Sequence, residues 1–175
     1  LDRLRSPMKR IALILCLAIL LGTLGVQTSI WGEAVLAAVP PNADVPFRFD
    51  LVSTAQGLSS PEVWSVLRDR RGFMWFGTLD GLNRFDGYQM KVFKSSLADP
   101  AGLSDNAIRT LYEDRSGLLW IGTWTGGLNR YDRDTETFTH FQHDPANPGS
   151  LSSDGVFAIL EDRAGMLWLG TRTGG

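Results

Sequence analysis

Residues 103–133 read LSDNAIRTLYEDRSGLLWIGTWTGGLNRYDR, and this stretch decides the fold because it recurs twice more in the same chain. Residues 58–87 read LSSPEVWSVLRDRRGFMWFGTLDGLNRFDG, and residues 151–175 read LSSDGVFAILEDRAGMLWLGTRTGG. Leu58, Leu103 and Leu151 step by 45 and then 48 residues, and Trp75, Trp120 and Trp168 keep the same steps. So do Asp69, Asp114 and Asp162, and Gly72, Gly117 and Gly165. An added glycine in Thr125-Gly126-Gly127, set against Asp80-Gly81, and a longer linker before Leu151 account for the wider second step. Self-similarity at a fixed period in this range marks a repeat architecture.

Each unit predicts short strands separated by turns. Residues 63–67, 108–112 and 156–160 are rich in branched and aromatic side chains with partial alternation, which suits a first strand. DRRG, DRSG or DRAG follows. An Asp at the first turn position accepts backbone N–H groups further on, and a Gly at the fourth tolerates positive φ, so these tetrapeptides predict type I turns. FMWFGT, LLWIGT and MLWLGT are nearly continuous apolar runs of strand length, expected to be buried on both faces. LNRFD or LNRYD supplies a third strand ending at Asp86 or Asp132, and QMKVF at residues 89–93 or ETFTHF at 136–141 a fourth. SSLADPAG and QHDPANPGS read as loops. Four short strands in about 45 residues, with no helical period after the N-terminus, predict an all-β fold built as propeller blades. A solenoid of parallel strands is the alternative, but its repeats are shorter and its connections longer.

The order L-S, apolar strand, D-x-x-G-x-x-W-x-G-T, then G-L-N-R-(F/Y)-D resembles the two-component regulator propeller repeat, as does the opening FRFDLVSTAQGLSS at residues 47–60. The resemblance runs from residue 47 to the end. It implies a periplasmic propeller that feeds a membrane helix and a cytoplasmic output module, often a hybrid histidine kinase and sometimes a diguanylate cyclase. It also implies an extracytoplasmic ligand, of glycan class, and dimer formation through the parent protein. The chain itself shows no kinase motif, and no catalytic residue, cofactor or metal is assigned to it. Two rival classes stay open: a propeller enzyme or binding protein acting on extracellular polysaccharide, and a structural propeller without a small ligand. Asp-box propellers of the sialidase kind use S-x-D-x-G-x-x-W; here Asp69 and Gly72 are three apart, one more than that motif allows. The docking motif of quinone-dependent dehydrogenase propellers needs an Ala-x-Asp lead and a Thr-Gly-Lys that are missing.

Around this body the composition is ordinary: 43% hydrophobic, 21% charged, formal net charge −2. Residues 1–10 carry +3 and the remaining 165 carry −5. A mildly acidic body argues against nucleic acid, which needs clustered Lys and Arg. Residues 11–32 are uncharged and precede a Pro- and Ala-rich stretch, the layout of a secretory signal cleaved after Ala37 or of a retained membrane anchor. Either places the body outside the cytoplasm. Cys16, the single cysteine, lies in that run as apolar filler, so no disulfide forms within the chain. Met8 is a candidate start, and Gly174-Gly175 falls inside a repeat, so the reading is of an incomplete protein. The expected organisation is signal or anchor at 1–38, linker at 39–46, and repeats at 47–102, 103–150 and 151–175, the last truncated: two four-stranded blades and part of a third. Three blades do not close a ring, so residues 44–175 alone are expected to aggregate or stay loose.

Trp75, Trp120 and Trp168 recur once per unit inside an apolar strand and are expected to pack between blades, a loss such as Trp120→Ala costing about 3–5 kcal/mol. Asp69, Asp114 and Asp162, with Gly72, Gly117 and Gly165, are expected to build turns. His140 and His143, with Asp144, form the one conceivable metal group, but side chains three apart on a strand face opposite ways. Trp124 breaks the pattern, standing where the other units have Leu79 and Arg172. Ligands on propellers meet the turns at one end of the central channel. The expected contact zone is therefore Leu79, Asp80, Trp124, Thr125, Arg172 and Thr173.

Overall fold

The computed structural model describes residues 48–174, and those from Phe49 onward form one compact unit. Residues 1–47, with the expected signal or anchor helix and Cys16, lie outside the described residues. Ten strands build three antiparallel sheets: β1 (Val63–Arg68), β2 (Met74–Thr78), β3 (Gly81–Phe85) and β4 (Met90–Phe93); β5 (Ile108–Glu113), β6 (Leu119–Thr123), β7 (Leu128–Tyr131) and β8 (Phe138–Phe141); β9 (Val156–Glu161) and β10 (Leu167–Thr171). Each sheet is a meander in chain order, as the short predicted connections require. The fold is all-β and propeller-like. A 3-10 turn, Thr54–Gln56, capped by Ser53, precedes β1.

The first strands stand side by side, β1 against β5 and β5 against β9, although they belong to different sheets. A glycine allows this approach. A Cβ on Gly77 would lie 2.7 Å from Ile108 Cγ2 at the start of the next sheet, and one on Gly122 would lie 2.6 Å from the Val156 carbonyl oxygen. The W-x-G spacing thus puts an indole and a gap on the same face of the strand. Gly122→Ala is expected to cost about 1–3 kcal/mol, because a backbone oxygen cannot swing aside as a side chain could. Faster hydrogen exchange confined to β9 and β10 would register it; unchanged exchange there would show that the sheets do not meet at this glycine.

Between the first two sheets lies the core. Trp75, Leu82 and Phe93 of the first pack against Leu119, Ile121, Tyr131 and Phe138 of the second, with Leu103 and Ile108 beside them. Trp75 is 0% exposed and meets Tyr131 edge-on at 5.3 Å between ring centroids and Phe93 stacked at 5.9 Å. The Asp of each turn does more than turn the chain. Asp69 Oδ1 accepts the Phe73 N–H at 2.9 Å, while Asp69 Oδ2 accepts the Trp75 indole N–H at 2.8 Å. Trp120 donates to Asp114 at 2.7 Å and Trp168 to Asp162 at 2.9 Å. The turn glycines sit at φ 93° (Gly72), 84° (Gly117) and 85° (Gly165), the left-handed region that excludes most other residues. Asp86 and Asp132 also serve turns, each accepting two backbone N–H groups through Oδ1. The paired L-S and L-N motifs meet as well: Ser59 N–H donates to Asn83 Oδ1 at 2.9 Å and Ser104 N–H to Asn129 Oδ1 at 3.0 Å.

One expectation needs correction. The three indoles are not equally buried. Trp120 is half-buried and Trp168 is 64% exposed. Trp75 is covered by β4 of its own sheet and β7 of the next. Trp120 has Phe141 of its own sheet at 5.8 Å but no counterpart of Tyr131, and among the described residues Trp168 has neither. Met166 and Leu160 are exposed beside it. The expected burial of the second strand on both faces likewise holds best for β6, which has a sheet on each side.

Candidate functional site

The β2–β3, β6–β7 and post-β10 turns share one construction. Thr78 Oγ1 donates to the Gly81 carbonyl at 2.9 Å, Thr123 Oγ1 to the Gly127 carbonyl at 2.8 Å, and Thr171 Oγ1 to the Thr173 carbonyl at 3.1 Å. The residue after each Thr is tied by its N–H to the residue just before its own sheet's first strand. Leu79 donates to the Glu62 carbonyl, Trp124 to that of Ala107 and Arg172 to that of Gly155, at 3.1, 2.9 and 2.8 Å. Backbone bonds therefore hold this position, and its side chain is free to differ from sheet to sheet.

Four of the six expected contact residues come together. Trp124, Thr125, Arg172 and Thr173 line one hollow of about 500 Å³, with His143 and the 152–155 linker completing its wall. Thr125 is pinned there, donating to Asp105 Oδ2 through both N–H and Oγ1 at 2.9 Å. Asp154 faces the hollow and accepts the His143 N–H at 2.7 Å. Leu79 and Asp80 do not belong to it: they occupy the equivalent turn one sheet back, and Asp80 pairs with Lys94 at 2.7 Å. The histidines are held separately. His140 Nε2 is 2.7 Å from the Gly102 carbonyl and His143 Nδ1 is 2.6 Å from that of Leu151, and Asp144 Oδ1 accepts the Ala146 N–H.

A second set of residues at this end was not foreseen. The register of β1 with β2 slips between Val63 and Ser65, that of β5 with β6 between Ile108 and Thr110, and β9 pairs with β10 through Val156 and Ala158 but not the residue between. The skipped residues are Trp64, Arg109 and Phe157. A bulge re-aims its side chain, and here three bulges gather three side chains around Trp124. Trp124 lies 5.7 Å from Trp64 and 5.2 Å from Phe157, centroid to centroid, and Arg109 sits among all three rings. The signal was present in the alignment of the units: positions 64, 109 and 157 keep the 45 and 48 steps yet carry three different residue types.

Two four-stranded meanders followed by a two-stranded sheet, with the same threonine-clasped turn after each second strand and a W-x-G gap where the sheets meet, define a β-propeller repeat protein. The model of the two component regulator propeller family matches residues 57–80, 102–125 and 150–173, once in each repeat. Each match closes on the turn described above. The extracellular domain assigned to hybrid two component system BT3049 of B. thetaiotaomicron superposes with a TM-score of 0.64 at 31% identity, over 69% of this chain and 17% of that one. The corresponding domain of BT4673 from the same organism superposes at 0.56 with 38% identity, over 65% of this chain and 16% of that one. "Histidine kinase P4" of Formosa agariphila is 38% identical over 53 residues, 30% of this chain and 4% of that protein. The chain thus spans less than a fifth of each of these three.

Proposed function

We propose that this chain is part of the signal-input region of a two-component signalling protein, that it faces outside the cytoplasm, and that it receives its ligand on the end bearing Trp124 and Arg172. The observation that carries the reading is the contrast within the repeat. Turn, clasp and core positions keep their residue types from sheet to sheet, whereas two side chains of the varying turn column, Trp124 and Arg172, line one hollow. A scaffold that stays constant while one face varies is how repeat folds present binding surfaces. The similarity to extracellular domains of hybrid two component systems supports the location, and the histidine kinase match supports a kinase output elsewhere in the parent protein.

Binding suits the hollow better than catalysis does. Glycoside hydrolysis takes a pair of carboxyl groups across the bond, and the lining of the hollow carries one, Asp154, engaged by the His143 backbone. The ligand is of glycan class in this reading. Binding of the intact protein to an immobilised glycan panel is expected, with Trp124→Ala weakening it about tenfold or more, as loss of a central aromatic anchor does. An intact protein that ignores every glycan, or a Trp124→Ala variant that binds as well as the wild type, would favour a purely structural propeller.

A further inference from the structure

The Arg109 guanidinium is placed with care and then left without a polar partner. Its Cζ lies 4.6 Å from the ring centroid of Trp64, 5.0 Å from that of Trp124 and 4.8 Å from that of Phe157. Its Nε is sealed from solvent and makes no hydrogen bond. Among the described residues no carboxylate pairs with it. Of the acids at this end, Asp105 is engaged by Thr125 and Ala107, Asp154 by His143, and Asp80 by Lys94. Arg172, exposed on the wall of the hollow, stacks on Trp124 at 5.5 Å from its centroid and likewise pairs with no acid. Two cations without an acid partner therefore lie against one indole, on a turn whose residue differs from unit to unit.

Aromatic faces attract a cation but offer no lone pairs in the guanidinium plane, so the outward N–H donors stay unsatisfied. The three rings fix that plane and seal its Nε from water, leaving the two terminal nitrogens to face outward. A guanidinium held this way matches an oxyanion with two parallel hydrogen bonds at little loss of side-chain freedom. The bulges make the arrangement a feature of the backbone and not of one flexible side chain, because the same slip recurs in all three sheets.

We propose that Arg109, caged by Trp64, Trp124 and Phe157, anchors a ligand through an oxyanion, either a carboxylate or a sulfate ester, with Arg172, also stacked on Trp124, as the second cation. This rests on the reading that the ligand arrives at this end, and it narrows the ligand to an anionic one.

The test uses the intact protein and matched probes: sodium sulfate, glucuronate, glucose 6-sulfate and glucose, titrated at constant ionic strength while tryptophan emission is followed. Trp64 and Trp124 touch Arg109, so occupation alters their emission. A saturable change is expected with the anions, with glucose at least tenfold weaker. Stronger binding of glucuronate assigns a carboxylate, and stronger binding of glucose 6-sulfate assigns a sulfate ester. Arg109→Gln is expected to lose at least tenfold toward the anions, and Arg109→Lys, which keeps the charge without the fork, an intermediate amount. Circular dichroism and melting curves of both variants verify folding, and Arg109→Lys serves alone if Arg109→Gln does not fold. Anions bound equally by wild type and variants, or no saturable change with any anion, would overturn the proposal. Neutral glycans that need Trp124 but ignore Arg109 would overturn it too, while leaving the binding end intact.

Discussion

Trp75→Ala lowers the stability of the 175-residue chain by about 3–5 kcal/mol, the range for truncating a fully buried large aromatic. Trp168→Ala, the same substitution at the same motif position, changes it by about 0.5 kcal/mol or less, as exposed sites do. The two differ only in what lies over the ring. Trp75 is wedged between Phe93 and Tyr131 and its removal opens a cavity in the one core shared by two sheets. It also takes a donor from Asp69, a carboxylate with no exposed side-chain surface. Trp168 keeps its bond to Asp162 but faces solvent over most of its area. Trp120, with one side covered, falls between. Urea unfolding of the three variants gives the order directly. An equal cost at Trp168 would mean that another sheet covers it in solution.

The repeat made the strands and turns readable, because each inference could be checked against two further copies in register. The ten strands lie within a residue or two of the predicted segments. What stayed hidden was what happens between positions far apart. The bond from Trp75 to Asp69 spans six residues across a turn, and neither residue type announces it. Asn83 and Asn129 stand in the expected third strands with nothing to single them out, yet each closes its unit by gripping the serine that opens it. For the site, the turn column Leu79, Trp124 and Arg172 was legible because it varies where its neighbours do not. The bulged column Trp64, Arg109 and Phe157 varies as much, but it sits inside a strand, where alternating side chains are expected and a slip of register leaves no mark. Grouping Leu79 and Asp80 with the others followed from treating a repeat column as a place. Equivalent turns are a sheet apart, and the hollow joins those of the second and third sheets without that of the first.

Arg133 occurs in one unit only, where the first has Gly87-Tyr88, so no periodicity pointed to it. It nevertheless joins the first two sheets. Nη1 donates to Asp69 Oδ2 at 2.6 Å, Nη2 to Glu113 Oε1 at 2.9 Å, and Nε to the Gly117 carbonyl at 3.3 Å. The arginine side chain is 12% exposed, and those of Asp69 and Glu113 are 0% and 7%. Glu113 in turn accepts the Arg70 N–H, so the turns of neighbouring sheets are linked through it. Replacing Arg133 with Met keeps the apolar stem and removes the cation. Two carboxylates then face one another with little water, and the expected cost is about 3–5 kcal/mol, that of orphaning a buried pair. The pH dependence separates this from lost packing. Burial pushes the Asp69 carboxyl up, but the Trp75 indole, Arg133 and the Phe73 N–H together outweigh it and hold the group below its ordinary 3.8. A carboxylate depressed by folding contributes stability that is fully present above its unfolded pKa and is lost as the pH falls through its folded one. The wild type should therefore keep this contribution until the pH drops below 3.8. In Arg133→Met the folded value rises toward the unfolded one, so the contribution shrinks and its acid limb moves to higher pH. Melting curves from about pH 7 down to about pH 2 resolve the two limbs. Superimposable limbs, with a cost under about 1 kcal/mol, would place Arg133 among screened surface contacts and leave the packing of Trp75 on Tyr131 as what holds the sheets together.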